Sequence, residues 1–206
     1  MASKLNIYNL AFAHLGEATV DSLTDDPVSP NVAKANAQWD MARQSALVRA
    51  PWLCGLVSQT LTPDVEPVGG WNDPKYACRY TLPKGTLKVW SVDACDDDAW
   101  QRGVEVDANG AVRMVIKCNL STSIDVELQM DRPPEALTPL LVDGLAKDLA
   151  ARLAGPILKS EQRAAQLQKT ANEAFLLAEA SEAGEVSGQA PVIGMGALAR
   201  ARRSAL

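Results

Sequence analysis

IDVELQMDRPPEALTPLLVDGLAKDLAARL, residues 124–153, changes its apolar period halfway along. Ile124, Val126, Leu128 and Met130 alternate with Asp125, Glu127 and Gln129, the period-two pattern of a half-buried strand. After Pro133-Pro134 the step becomes four: Leu137, Leu141, Leu145, Leu149 and Leu153, with Leu140 and Ala146 beside them. That spacing predicts a helix with a broad core-facing stripe, starting at the prolines and broken by Gly155-Pro156. One chain therefore holds a sheet and a helical core, joined within a few residues.

Upstream of this junction the strand pattern continues back to Trp52. Short β-branched and aromatic runs alternate with turns: Leu56–Leu61, Tyr76–Thr81, Leu87–Val92, Val104–Val106 and Val112–Lys117 precede Ile124–Gln129. Asp107-Ala108-Asn109-Gly110 reads as a hairpin turn. Before Trp52 the pattern is helical. Ser3 caps a first helix that Gly16 stops, with Leu5, Ile7, Tyr8, Leu10, Ala11, Phe12 and Leu15 leaving little polar surface. Ser29-Pro30 opens a second helix, Ser29 serving as side-chain cap, with Val32, Ala35, Trp39, Ala42 and Ala46 on one face and Pro51 as its end. Downstream, a fourth helix over about Leu158 to Ala183 carries Ala164, Leu167, Ala171, Ala174 and Ala178, small residues that allow close helix packing.

The expected architecture is α+β. Residues 1–52 and 132–183 form a bundle of about four helices, residues 53–131 a β-rich insertion, and residues 184–206 an extended C-terminal arm. A chain of 206 residues with 47 % hydrophobic content can fill such a core.

Chemistry is sparse. The net charge of −5 argues against wrapping nucleic acid, whose affinity comes from neutralised phosphates. Cys54, Cys78, Cys95 and Cys118 include no C-x-x-C pair, and His14 is the single histidine, so no metal site and no cofactor are expected. His14 reads as a structural residue on an apolar helix, with no G-x-S-x-G beside it. The cluster Asp93, Asp96, Asp97 and Asp98 reads as a solvated turn, the tryptophans as core, and no residue as catalytic. Neither a leader peptide nor an apolar run of membrane length is visible, so a chain made in the cytoplasm is expected. The arm differs. Val192, Ile193, Met195 and Leu198 are apolar residues without a core of their own, and Arg200, Arg202 and Arg203 are cations on an acidic chain. A docking arm that folds on a partner, an unstructured solubilising tail and a weak nucleic-acid contact all fit that composition.

The order of these pieces resembles the head–tail adaptor of short-tailed bacteriophages, the tail tubular protein A family, from about Lys4 to Ala183. The residues that carry it are Asn9-Leu10-Ala11, Leu15-Gly16-Glu17 before a proline-rich loop, and the helix from Trp39 to Arg49 with its exit Ala50-Pro51-Trp52. Tyr80-Thr81-Leu82-Pro83 ahead of Leu87-Lys88-Val89-Trp90, and Pro133-Pro134 with Leu137, Leu145-Ala146 and Leu149-Ala150, complete it. The resemblance implies a non-enzymatic virion subunit in a homo-oligomeric ring of twelve. Such a ring joins the portal protein to the tail nozzle protein and encloses the DNA path without sequence-specific binding and without contact to a membrane. By position, Val192, Ile193, Met195, Leu198, Arg200, Arg202 and Arg203 would bind the portal. The competing readings are a collar or head-completion ring of another tailed phage, a cell-wall hydrolase with paired carboxylates, and a DNA-binding subunit of the packaging machinery.

Overall fold

The computed structural model describes residues 2–25, 28–65, 75–93, 99–106 and 110–185. Among these residues four α-helices and two small antiparallel sheets make the fold α+β. The chain divides into two compact units, Met1–Cys54 with Arg132–Leu206, and Gly55–Asp131.

In the helical unit, α1 spans Lys4–Leu15. The Asn6 amide donates to Ser3 Oγ at 3.2 Å, and Gly16 takes the left-handed conformation (φ 78°) that lets its amide reach Ala13 O. Ile7, Tyr8, Ala11, Phe12 and Leu15 are buried, whereas Leu10, expected inside, points outward. α2 spans Pro30–Arg49 and buries Val32, Ala35, Trp39, Ala42 and Ala46. The Ser29 side chain makes no capping hydrogen bond here, contrary to expectation; its carbonyl accepts from Ala33 N. Proline at the first helical position removes one of the four amides that a helix start leaves unpaired, though not one the cap would bond.

The third helix starts later than expected. Pro134–Ala136 is a single 3-10 turn, Leu137 and Thr138 are extended, and α3 spans Pro139–Leu158. A residue ahead of proline is pushed out of the helical region, and Pro133 (ψ 160°) and Thr138 (ψ 152°) both show this. The expected break at Gly155-Pro156 is also displaced, because Pro156 lies inside α3. Its fixed φ suits a helix, and near the C-terminus the missing amide costs one bond only. The helix stops instead at Lys159 (φ 53°), and Ser160 caps α4, Glu161–Glu185, through the Arg163 amide at 3.2 Å. Gly184 and Glu185, expected in the arm, close that helix.

α3 is the hub, packed against α1, α2 and α4. Leu141, Leu145, Leu149 and Leu153 are fully buried. A Cβ on Gly144 would fall 2.7 Å from the Phe175 ring, so glycine is what allows α4 to lie this close. Buried Glu182 accepts from the Leu53 amide and from Thr138 Oγ1, fixing both segments that lead out of the helical unit.

In the β unit, β1 (Leu56–Leu61), β6 (Ile124–Met130) and β3 (Thr86–Val92) form one sheet in that order; β2 (Cys78–Thr81), β5 (Val112–Cys118) and β4 (Trp100–Val106) form the other. The core includes Leu61, Tyr80, Leu82, Val89, Val92, Ile116, Cys118, Ile124, Val126 and Leu128. β6 alternates as expected except at Gln129, which is buried on the face expected to be polar. Its amide accepts from Trp90 Nε1 at 3.3 Å and fills the space a Cβ on Gly55 would take. Gly110 has φ 81° where the hairpin turn was expected; residues 107–109 of that turn lie outside the described residues.

Candidate functional site

The docking residues read from the sequence, Val192, Ile193, Met195, Leu198, Arg200, Arg202 and Arg203, lie outside the described residues, as do Asp96, Asp97 and Asp98. Asp93 is described, and its amide donates to Asp125 O at 2.7 Å.

The residues behind the family resemblance have structural tasks. Asn9 clamps the loop after α1 by exchanging two 2.9 Å bonds with the backbone of Val20. Glu17 accepts from Asn31 Nδ2 at the start of α2. Trp52, after Pro51, is buried and donates from Nε1 to Ala46 O at 2.7 Å. Trp39 meets the Tyr8 ring edge to face at 5.5 Å, and the Tyr8 hydroxyl donates to Asn36 Oδ1.

His14 is only half-buried and lines an open cleft of about 430 Å³ between α1, α3 and α4. Asp143, Lys147, Arg163, Gln166, Glu173 and Leu177 also line it. Burial, then the Lys147 charge, lowers the His14 pKa; Asp143 opposes and Arg163 adds to the effect. Asp143 is engaged by Lys147 at 2.7 Å, and Arg163 donates to Gln166 Oε1 and His14 O. The imidazole thus sits among groups already committed to one another. Burial, reinforced by Glu182, pushes the Cys54 thiol up to about 11, keeping it a poor nucleophile at neutral pH. Among the described residues no group of three or more His, Cys, Asp or Glu side chains could hold a metal ion. No helix there is long and apolar enough to cross a membrane.

Two features of the β unit escape the strand pattern. On one face of β2-β5-β4, Glu105 Oε1 accepts from the buried Arg79 Nε at 2.7 Å and lies 3.7 Å from Lys117 Nζ, and Glu105 Oε2 lies 3.6 Å from Arg113. Gly103 leaves room for the Lys117 stem, since a Cβ there would lie 2.7 Å from Lys117 Cε. On the opposite face, which holds Ile116 and Cys118 in the core, the β4–β5 hairpin carries its apolar residues beyond that core. Val104, Val106 and Val112 are 64, 66 and 71 % exposed, and Val106 pairs directly with Val112. The helical unit exposes Met41, Leu176 and Leu177 in the same way. Contiguous exposed apolar surface marks places where another molecule binds. The alternation of β4 and β5 was the available signal for the valine surface; that it outruns the core follows only from the packing.

No protein-family model matches this chain, and no curated protein matches it at a significant level.

Proposed function

We propose that this chain is a structural subunit of a phage head–tail connector ring, joining the portal to the tail nozzle and forming part of the DNA conduit. The observation that carries an assembly role is the valine surface of the β4–β5 hairpin, three β-branched residues side by side on one face and facing solvent. Leaving that surface in water is unfavourable by roughly 25 cal/mol per Å², a cost removed when a partner covers it. The resemblance in the order of sequence pieces supplies the particular assembly. The net charge of −5 fits a conduit through which duplex slides without adhering. In this reading residues 186–206 climb onto the portal, and the β unit meets the nozzle.

The test is to mix the purified chain with its portal and image the product by electron microscopy. A ring of added density beneath the portal is expected. Deleting Gly188 to Leu206 should abolish that association while leaving the circular dichroism spectrum unchanged. A folded chain that never associates with intact portal would discard the connector reading in favour of a collar ring or a hydrolase.

A further inference from the structure

Each of two helices turns an apolar side chain to solvent beside a pair of opposite charges. On α2 these are Met41, 63 % exposed, with half-buried Lys34 and exposed Asp40; Ala33 and Ala37 lie beside them on the same outward face. On α4 they are Leu176, 58 % exposed, with Lys169 and Glu173, and Ala165 completes that face. Among the described residues Lys34, Lys169 and Glu173 form no ion pair, and Asp40, 77 % exposed, has a 3.5 Å contact to Arg43 and bears on the Tyr8 hydroxyl.

The charges run in the same order along both helices, lysine first and acid second. An antiparallel pairing therefore sets Lys34 against Glu173 and Asp40 against Lys169, whereas a parallel one opposes like charges. The two spacings correspond to roughly 9 and 6 Å at 1.5 Å per residue, a difference the flexible lysines absorb. The same register places Met41 over Ala165 and Leu176 over Ala33, each large side chain against a small one, as helix packing prefers. Pairing α2 with α2, or α4 with α4, can also match the local charges. It sets like helices together, however. α2 carries Lys34, Arg43 and Arg49 against Asp40 alone, and α4 carries five glutamates against Arg163 and Lys169. One internal pair, Arg49 with Glu179, uses one charge of each and leaves the opposition of sign.

We infer that the outward face of α2 in one copy docks antiparallel on the outward face of α4 in a second copy. The contact is head-to-tail, using two different patches, and so continues from copy to copy as a ring requires. It rests on the ring reading and names the contact that would build it.

The experiment uses two full-length variants, an affinity-tagged Met41→Cys and an untagged Ala165→Cys, mixed and treated with a short bis-maleimide; wild type controls for the native cysteines. Mixed Met41→Cys/Ala165→Cys dimers are expected, with neither variant dimerising alone above wild type. Adding Lys169→Glu to the second variant should lower the yield about fivefold, the limit for one exposed pair. Adding Asp40→Lys to the first should restore it. Dimers of one variant with itself would overturn the head-to-tail contact. Larger species in sedimentation without the mixed cross-link would retire this interface and leave the ring reading standing. Mixed cross-links from a chain that never binds portal would do the reverse. Absence of both larger species and cross-link, with or without portal, overturns the inference.

Discussion

Glu105 stands among Arg79, Arg113 and Lys117, and the first of these has only 1 % of its side chain exposed. Removing the carboxylate strands a buried guanidinium, which is far costlier than losing a surface pair. Glu105→Ala should lower stability by about 3 kcal/mol in urea denaturation, following the usual cost of breaking a buried pair. A loss below about 1 kcal/mol would show that Tyr76 O and Cys78 O, which also accept from Arg79, suffice without Glu105. His14 gives a pH-dependent counterpart. Its folded pKa lies below the ordinary 6.5, so on acidification the unfolded chain takes up the proton first. Stability tied to His14 is complete well above that value and declines as pH falls through it. His14→Gln should flatten the slope of stability against pH between about 7 and 5, and an unaltered slope would assign it to the carboxylates. Neither site was legible in the sequence. Glu105 and Arg113 face each other only once β4 and β5 are in register, and His14 lies on a helix whose composition reads as buried throughout. Gln129 misled for a related reason, because strand alternation reports the sheet's two faces and not the Trp90 that covers one of them.

At the level of elements, helix identity was plainly written and helix ends were not. The buried positions of α1 and α2 follow from spacing alone. The prolines were harder, because the same residue opens a helix at Pro30 and Pro139, sits within one at Pro156, and holds a 3-10 turn at Pro134. What distinguishes them is which amide is dispensable, and that depends on where the helix already runs. The two serine caps make this measurable. Ser3 Oγ accepts from Asn6 N, whereas Ser29 makes no side-chain cap bond. Ser3→Ala should cost about 1 kcal/mol, the typical value for a lost cap. Ser29→Ala should stay within roughly 0.5 kcal/mol, as for substitutions that remove no specific contact. Equal losses in paired thermal melts would mean that Ser29 caps in solution.

For the whole molecule, the passage from strand period to helix period at residues 130–139 showed that a β-rich segment interrupts a helical one. The boundaries at Cys54–Gly55 and Asp131–Arg132 fall where β1 begins and β6 ends the inserted unit. Those strands are also direct partners. Leu56 pairs with Gln129, and the Met130 amide donates to Gly55 O at 2.8 Å. The segment therefore enters and leaves through neighbouring strands, with its own core between them and with buried Arg79 paired to Glu105 of the same unit. Such an insertion has what independent folding needs: adjacent termini and a core cluster of its own. Residues 55–131 expressed alone should unfold cooperatively and give a dispersed amide spectrum, although a unit this small has a narrow margin of stability. Adding Glu105→Ala to that fragment should then unfold it outright, since a loss of about 3 kcal/mol is comparable to what so small a core supplies. A wild-type fragment without cooperative unfolding would mean that the β unit depends on the helical unit for its fold, and that the two are folded together.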